Sequence, residues 1–413
     1  MRLEFVCTGD ELLSGQVVDT NSPWAEERLF RELGLQVSRV VIVGDEEEAI
    51  VDALRSASER ADVVLVSGGL GPTNDDRTVD AAARAQGCGV VTDPGALAQL
   101  EARHGTGPAL TERRRRQARV PEGAHVVLNP VGSAPLFIQR LGRAELFYLP
   151  GVPREYRALL EVGVLPRLRE RVERSPHRRY RAVRLLKVMG VGESELDARV
   201  DGLRAAHPQV TFGFRAVPPE VQLKLLTEGD TQAAADAALA EVDALARGLL
   251  GADLYGVDED DFATVVLAQL RAAGHTVAVA ESCTGGMVSA LLSAPAGAGE
   301  VLRAGAVVYT EAAKTSFADV PPSLIETHGV VSREVAIALA EGIRDRWQTS
   351  HGLSITGWAG PGGGTERDPV GTVYVAVAGP QGTQASRRFF VGDRERVRAL
   401  SSAHVVDLLR RSL

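Results

Sequence analysis

Cysteine is scarce: the 413-residue chain has three, Cys7, Cys88 and Cys283, widely separated and without a CxxC pair. An odd, scattered set of thiols supports neither a disulfide framework nor a zinc ribbon. The eight histidines never fall in an HxxxH spacing, so that helical zinc signature is missing too. No stretch approaches the roughly 20 apolar residues of a membrane span, and "MRLEFVCTGDELL" lacks the long apolar region of a leader. A cytoplasmic protein without a membrane partner is expected. Positive charge is not in excess either: the net charge is −8, whereas a chain made to coat nucleic acid or an anionic membrane presents a basic face. Nucleic acid is therefore not an expected partner. Lysine is as scarce as cysteine: of 46 Lys plus Arg only Lys187, Lys224 and Lys314 are lysines. Arginine stays protonated in practice, so a lysine in such a chain hints at a removable proton.

What is present is a chain of ordinary globular composition, 45% hydrophobic and 24% charged, long enough for two or three domains at about 100–200 residues each. The pattern predicts an α/β protein in three units. In residues 1–170, apolar runs ("LEFVCTG", "LQVSRVVIVG", "ADVVLVSGG") alternate with amphipathic helices. That order predicts a parallel sheet with helices on both faces, a three-layer arrangement. Asn21 is expected to cap the helix "SPWAEERLFREL", closed by Gly34. A basic connector, "RLRERVERSPHRRYR", leads to a small α+β module, residues 175–250, reading strand, helix, two strands, Ala-rich helix. The acidic "GVDEDD" at 256–261 reads as a linker or helix start, and residues 258–413 form a third α/β unit with a single helix expected between "AGAVVYT" and "LSITG".

The third unit carries the sharper chemistry. In "AVAESCTGGMVSALLS", Ser282, Cys283 and Thr284 stand before Gly285 and Gly286 where a strand becomes a helix. Serine at a helix start is most simply an N-cap. The two glycines let a ligand approach the backbone, and free amides there suit an oxyanion or phosphate. A second glycine cluster, "TGWAGPGGGTERDPVG", follows another strand and includes Thr356, Gly360 and Gly362. In "GAVVYTEAAKTSF", Tyr309 ends a strand, Thr310 can cap, and Lys314 falls in the first turns of the next helix, where burial and the helix dipole both lower an amine's pKa. The plainer alternatives are a half-buried aromatic for Tyr309 and a solvated ion pair with Glu311 for Lys314. Ser282 ranks above Cys283 as nucleophile, with Lys314 as its base.

The motifs "AESCTGG", "YTEAAK", "HGVVS", "GWAGPGGG", "PVGTVYVA" and "GDRERVR" closely resemble the C-terminal domain of the competence/damage-inducible CinA family, whose members are nicotinamide mononucleotide amidohydrolases. The resemblance implies Ser282 as nucleophile, Lys314 as base and Tyr309 as proton shuttle or orienter. It also implies that Thr356 and Arg394 line the substrate pocket.

In the first unit, "TGDELLSGQVVDTN" puts Asp10, Glu11 and Asp19 after the first strand, and "SGGLGPTNDD" puts Gly68, Gly69, Gly71, Thr73, Asp75 and Asp76 after the third. Loops at the C-terminal ends of parallel strands face one crevice, and glycine amides with carboxylates suit a phosphate and a divalent metal ion. Tight turns and helix caps are the plainer reading. With "LNPVGSAPLF" and "YLPGVPREY", these motifs resemble the CinA N-terminal domain, similar to the MoaB/MogA-like molybdopterin-binding fold. The resemblance implies metal-dependent ADP-ribose pyrophosphatase activity using Asp10, Glu11, Asp75 and Asp76, with glycine expected where this chain has Leu136, a residue that would narrow the cleft. It also implies a KH-like middle module, here without the GxxG loop of RNA binders, and a homodimer in pyridine nucleotide salvage. The "RRRR" run at 113–116 reads as a solvated helix face. The rival readings are a pterin-binding role for the first unit and a non-enzymatic adaptor for recombination or competence proteins.

Overall fold

Parallel strands covered on both faces should be apolar throughout, and β1 (Leu3–Thr8) and β3 (Val63–Ser67) are buried at every position. In the computed structural model, which describes residues 1–106, 110–174 and 179–413, the chain divides into two compact units, Met1–Tyr180 and Arg181–Leu413. The expected start of the middle module at 175, with part of the basic connector, lies outside the described residues.

The first unit's main sheet has six strands in the order β2 (Val37–Val43), β1, β3, β8 (Ala144–Leu149), β7 (Leu136–Leu141), β6 (His125–Val127). The first four are parallel, as the βαβ pattern requires, but β7 runs antiparallel to both β8 and β6. The parallel run ends there because only Gly142 and Arg143 separate paired Leu141 and Ala144, and Gly142 takes φ +55°, so the chain doubles back as a hairpin instead of crossing over. A two-stranded ribbon, β4 (Val90–Thr92) with β5 (Arg119–Pro121), lies aside. One core cluster includes Val64, Val66 and the helix Glu47–Arg60; the other includes Leu3, Phe5 and the helix Asn21–Leu33. Helices thus cover both faces.

The second unit contains two sheets. β10 (Thr211–Val217), β11 (Glu220–Gly229), β9 (Tyr180–Met189) and β12 (Leu254–Val257) form the KH-like module with helices Glu193–Ala206 and Gln232–Leu250. The acidic segment read as a linker begins inside β12, which pairs antiparallel with β9, and ends at Asp261, whose carboxylate caps the helix Phe262–Ala272. The module packs on the C-terminal part: Met189 and Tyr255 share a core cluster with Phe262 and Leu409. The second sheet runs β14 (Leu302–Val307), β13 (Val277–Glu281), β15 (His351–Gly357), β16 (Thr372–Gly379), β17 (Gly382–Phe389). Three helices, Glu311–Ala318, Pro322–His328 and Arg333–Trp347, stand where one was expected, with Pro321 and Gly329 in the breaks between them.

Candidate active site

β14, β13 and β15 are adjacent and parallel, so their C-terminal ends open on one edge. That edge is where open α/β sheets place ligands. β13 delivers Ser282, β14 the turn Val308–Thr310, and β15 the glycine loop from 357 to 371.

Ser282 is not an N-cap. Its backbone N–H donates to the Ile355 carbonyl (3.0 Å), and the next helix starts only at Met287, capped by Gly286 at φ +100°. The acceptor that organises the turn is Glu281, fully buried. Its carboxylate accepts from the amides of Gly286 (2.9 Å), Val288 (3.0 Å) and Ser289 (2.8 Å) and from the hydroxyls of Thr284 (2.8 Å) and Ser289 (2.7 Å). A buried carboxylate is tolerated only when hydrogen-bonded, and five donors meet that demand. Ser282 Oγ is thereby free of capping duty.

Thr310 accepts from the Ala313 amide (3.2 Å) and starts the helix carrying Lys314. Lys314 is fully buried, and its Nζ donates to Ser282 Oγ at 3.0 Å and to the Val308 carbonyl at 2.8 Å. Burial lowers its pKa from 10.5 to about 8, with Cys283 and Glu311 pulling the other way. The expected alternative, an exposed lysine paired with Glu311, is not what the fold makes. Burial raises the Cys283 thiol to about 11, despite the opposing charges of Lys314, Arg394 and Arg398, which leaves little thiolate to compete with the serine.

Tyr309 lies two residues beyond the end of β14 and is 55% exposed, so it is a loop residue and not a strand aromatic. Its Oη accepts from Arg394 Nη2 (2.8 Å), while Arg394 Nη1 donates to the Gly360 carbonyl (2.7 Å). Arg394 therefore ties the β14 loop to the glycine loop; no hydrogen bond joins Tyr309 to Ser282 or Lys314 among the described residues. Thr356 is fully buried and donates to the Val330 carbonyl (2.9 Å), securing the end of β15. Gly360 takes φ +85°, and a Cβ at Gly362 would meet open space.

Two residues at this edge escaped sequence reasoning. Glu281 looked like an ordinary strand end. Arg398, inside "GDRERVR", donates to the carbonyls of Cys283 (3.1 Å) and Thr284 (2.7 Å). A turn's orphan carbonyls leave no mark on a linear pattern.

In the first unit the two loops do converge, around a cavity of about 520 Å³ lined by Glu11, Asp19, Asn21, Asp45, Gly68 and Asp75 among others. A Cβ at Gly68 (φ +106°) would sit 2.5 Å from the Thr8 carbonyl oxygen, and one at Gly69 (φ +66°) 2.1 Å from Thr78 Oγ1, so only glycine permits this approach. Asp76 accepts from the amides of Gly71 (2.7 Å) and Thr73 (2.8 Å) and from the Thr73 hydroxyl (2.5 Å), which commits both Thr73 and Asp76 to shaping the loop. Asp10 and Asp45 each accept the other's backbone amide (3.2 and 3.1 Å). Burial first, then the neighbouring Asp10, Glu11 and Asp75 charges, raises the Asp45 pKa. Among the described residues no three His, Cys, Asp or Glu side chains are grouped to hold a metal ion.

The cap expected of Asn21 is supplied instead by Asp19, which accepts from the amides of Asn21 (3.0 Å) and Ser22 (3.1 Å). Asn21 turns to the cavity wall: its Nδ2 donates to the Gly151 carbonyl (2.8 Å), and its Oδ1 is buried with no partner among the described residues. Leu136 does not narrow the cleft. It is fully buried in the core, in the space left by the missing side chain of Gly163, where a Cβ would lie 2.2 Å from Leu136 Cδ2. In the "RRRR" run, Arg116 donates to Asn74 Oδ1 (2.7 Å).

Comparison with known proteins follows the same division. Family models match as "Probable molybdopterin binding domain" over residues 4–170, "Damage-inducible protein CinA KH domain" over 183–256 and "CinA C-terminal domain" over 259–413. The chain is 51% identical to a CinA-like protein of Myxococcus xanthus, covering 100% of this chain and 98% of the relative. It is 44% identical to a CinA-like protein of an Anaeromyxobacter species, covering 100% and 99%. Among solved structures, the CinA protein of unknown function from Thermoplasma acidophilum is 38% identical over 39% of this chain and 94% of that one, with a TM-score of 0.37.

Proposed function

The chain belongs to the CinA family, and on that premise we propose that its C-terminal site hydrolyses the carboxamide of nicotinamide mononucleotide, yielding nicotinate mononucleotide and ammonia. The observation that carries the reading is the 3.0 Å contact between Lys314 Nζ and Ser282 Oγ in a buried setting. With a pKa near 8, a usable fraction of Lys314 is neutral at physiological pH, which a base requires. Neutral Lys314 takes the Ser282 proton as Oγ attacks the amide carbon, and the carbonyl electrons move to oxygen. The ammonium then protonates the leaving nitrogen, the C–N bond breaks and ammonia departs. Water attacks the acyl-serine with Lys314 again as base, and the proton returns to Oγ as acid product leaves. Val308's carbonyl holds the amine in place throughout, and the Arg394–Tyr309 pair supplies one wall.

The test is ammonia release from nicotinamide mononucleotide by the purified chain beside Ser282→Ala and Lys314→Ala, each checked by thermal melting. Folded variants that lose nearly all activity support the assignment. A Ser282→Ala chain that keeps its rate overturns it, and a pull-down of recombination proteins that survives Ser282→Ala would favour the adaptor role.

A second reading concerns the first unit. The unpartnered Asn21 Oδ1 on a cavity of about 520 Å³ favours a nucleotide-sized ligand offering a donor there, for which ADP-ribose is the proposed substrate. No metal-assisted step is assigned. Calorimetric titration with ADP-ribose, followed by assay for AMP release with and without divalent ions, tests it; no binding heat would remove the reading.

A further inference from the structure

An attacked carboxamide needs donors for its developing oxyanion, and the serine turn supplies few free ones. The Ser282 amide is bonded to Ile355, and that of Gly285 to the Ser282 carbonyl. Among the described residues the Thr284 amide has no acceptor, and that of Cys283 has only its own sulfur. Those two amides are the donors left at the serine. The helix that follows starts at Met287 and contributes none of them.

Something must hold that turn, because free amides otherwise rotate toward whatever acceptor is near. Two charged side chains do so from different sides of the chain. Glu281 gathers donors from residues 284 to 289, and Arg398 takes the Cys283 and Thr284 carbonyls with Nε (3.1 Å) and Nη2 (2.7 Å). A peptide is planar and trans, so fixing the Cys283 carbonyl on Arg398 fixes the Thr284 N–H on the opposite side of the same plane. Gly285 fits this grip: it takes φ +58°, and a Cβ there would lie 3.4 Å from Arg398 Nη2.

We propose that Arg398 is a positioning residue that aims the Thr284 amide, beside that of Cys283, as an oxyanion donor for Ser282. Among the described residues Arg398 has no hydrogen bond to Ser282 Oγ, and it acts through the backbone. This rests on Ser282 being the nucleophile, so the test has one arm that needs no nicotinamide substrate. A fluorophosphonate phosphonylates an activated serine: Oγ bonds to phosphorus, fluoride leaves, and the proton passes to the base while the phosphoryl oxygen uses the same amides.

Arg398→Gln and Arg398→Lys are compared with wild type for phosphonylation rate, for kcat and KM on nicotinamide mononucleotide, and for the pH profile. Lysine can serve only one carbonyl well, so it should restore part of what glutamine loses. The expected result is phosphonylation and kcat both slowed about tenfold to a hundredfold in Arg398→Gln, a nearly unchanged KM, and a pH midpoint left where Lys314 sets it. Partial recovery by free guanidinium would support the assignment further. Wild-type rates in a folded Arg398→Gln overturn it, as does a loss confined to KM. If Arg398→Gln does not melt like wild type, Arg398→Lys decides by the same readings. Labelled wild type that releases no ammonia would sink the substrate reading alone; unlabelled wild type sinks both.

Discussion

Lys314 Nζ and Ser282 Oγ stand 3.0 Å apart, and neither has another side-chain partner among the described residues. The pair is held by backbone and burial alone, which makes the amine's protonation the variable that pH controls. Since burial lowers the Lys314 pKa to about 8, activity should rise about tenfold per pH unit well below 8 and level off above it. A pH profile of kcat/KM checks this. Lys314→Arg, which cannot deprotonate, should be inactive at every pH tested.

The same shift has a stability consequence. The unfolded chain binds this proton more tightly than the folded one between about 8 and 10.5, so this group makes stability rise with pH across that window. Below it, the buried ammonium is a standing cost. Lys314→Met should therefore melt no lower than wild type at neutral pH while losing activity, and should lose that pH dependence in urea titrations at pH 7 and pH 10.

Glu281 should be intolerant of its own amide. Glutamine replaces one acceptor oxygen with a donor among five existing donors. Glu281→Gln is expected to destabilise the chain by about 3 kcal/mol, the scale for breaking a buried charged network. Chemical denaturation measures it, and a loss under about 0.5 kcal/mol, the range of ordinary surface changes, would contradict this account of the turn.

Tyr309 offers the reverse case. It is 55% exposed, and its hydroxyl receives one bond, from Arg394. Tyr309→Phe should keep stability within about 0.5 kcal/mol yet lower kcat/KM about tenfold or more if the hydroxyl orients or relays a proton. Unchanged kinetics would reduce Tyr309 to a surface aromatic.

Leu136 and Gly163 are a complementary pair, since a Cβ at 163 would lie 2.2 Å from Leu136 Cδ2. Gly163→Ala should cost about 1–3 kcal/mol by overpacking, and Leu136→Ala about 2–5 kcal/mol by opening a cavity. The double variant should cost less than their sum, because the methyl enters the vacated space. Urea unfolding of the four chains gives the coupling; strict additivity would refute it.

The local pattern was enough for the α/β fold and for most elements. Period-two and period-3.6 apolar runs announce strands and helices, and Gly34 and Thr310 ended and began helices as their chemistry requires. The motifs carried the family, which the matches over 4–170, 183–256 and 259–413 bear out. Ser282 and Lys314 could be named as candidates because their residue types and strand-end positions are local facts. What only tertiary structure decided is who satisfies whom. Asp19 and not Asn21 caps the first long helix, Glu281 and not Ser282 serves the turn, and Leu136 fills the core beside Gly163 instead of the cleft. Hydrogen-bond partners and packing neighbours are chosen by distance in space, where residues 32 apart, such as Ser282 and Lys314, meet only after the sheet has brought its strand ends together.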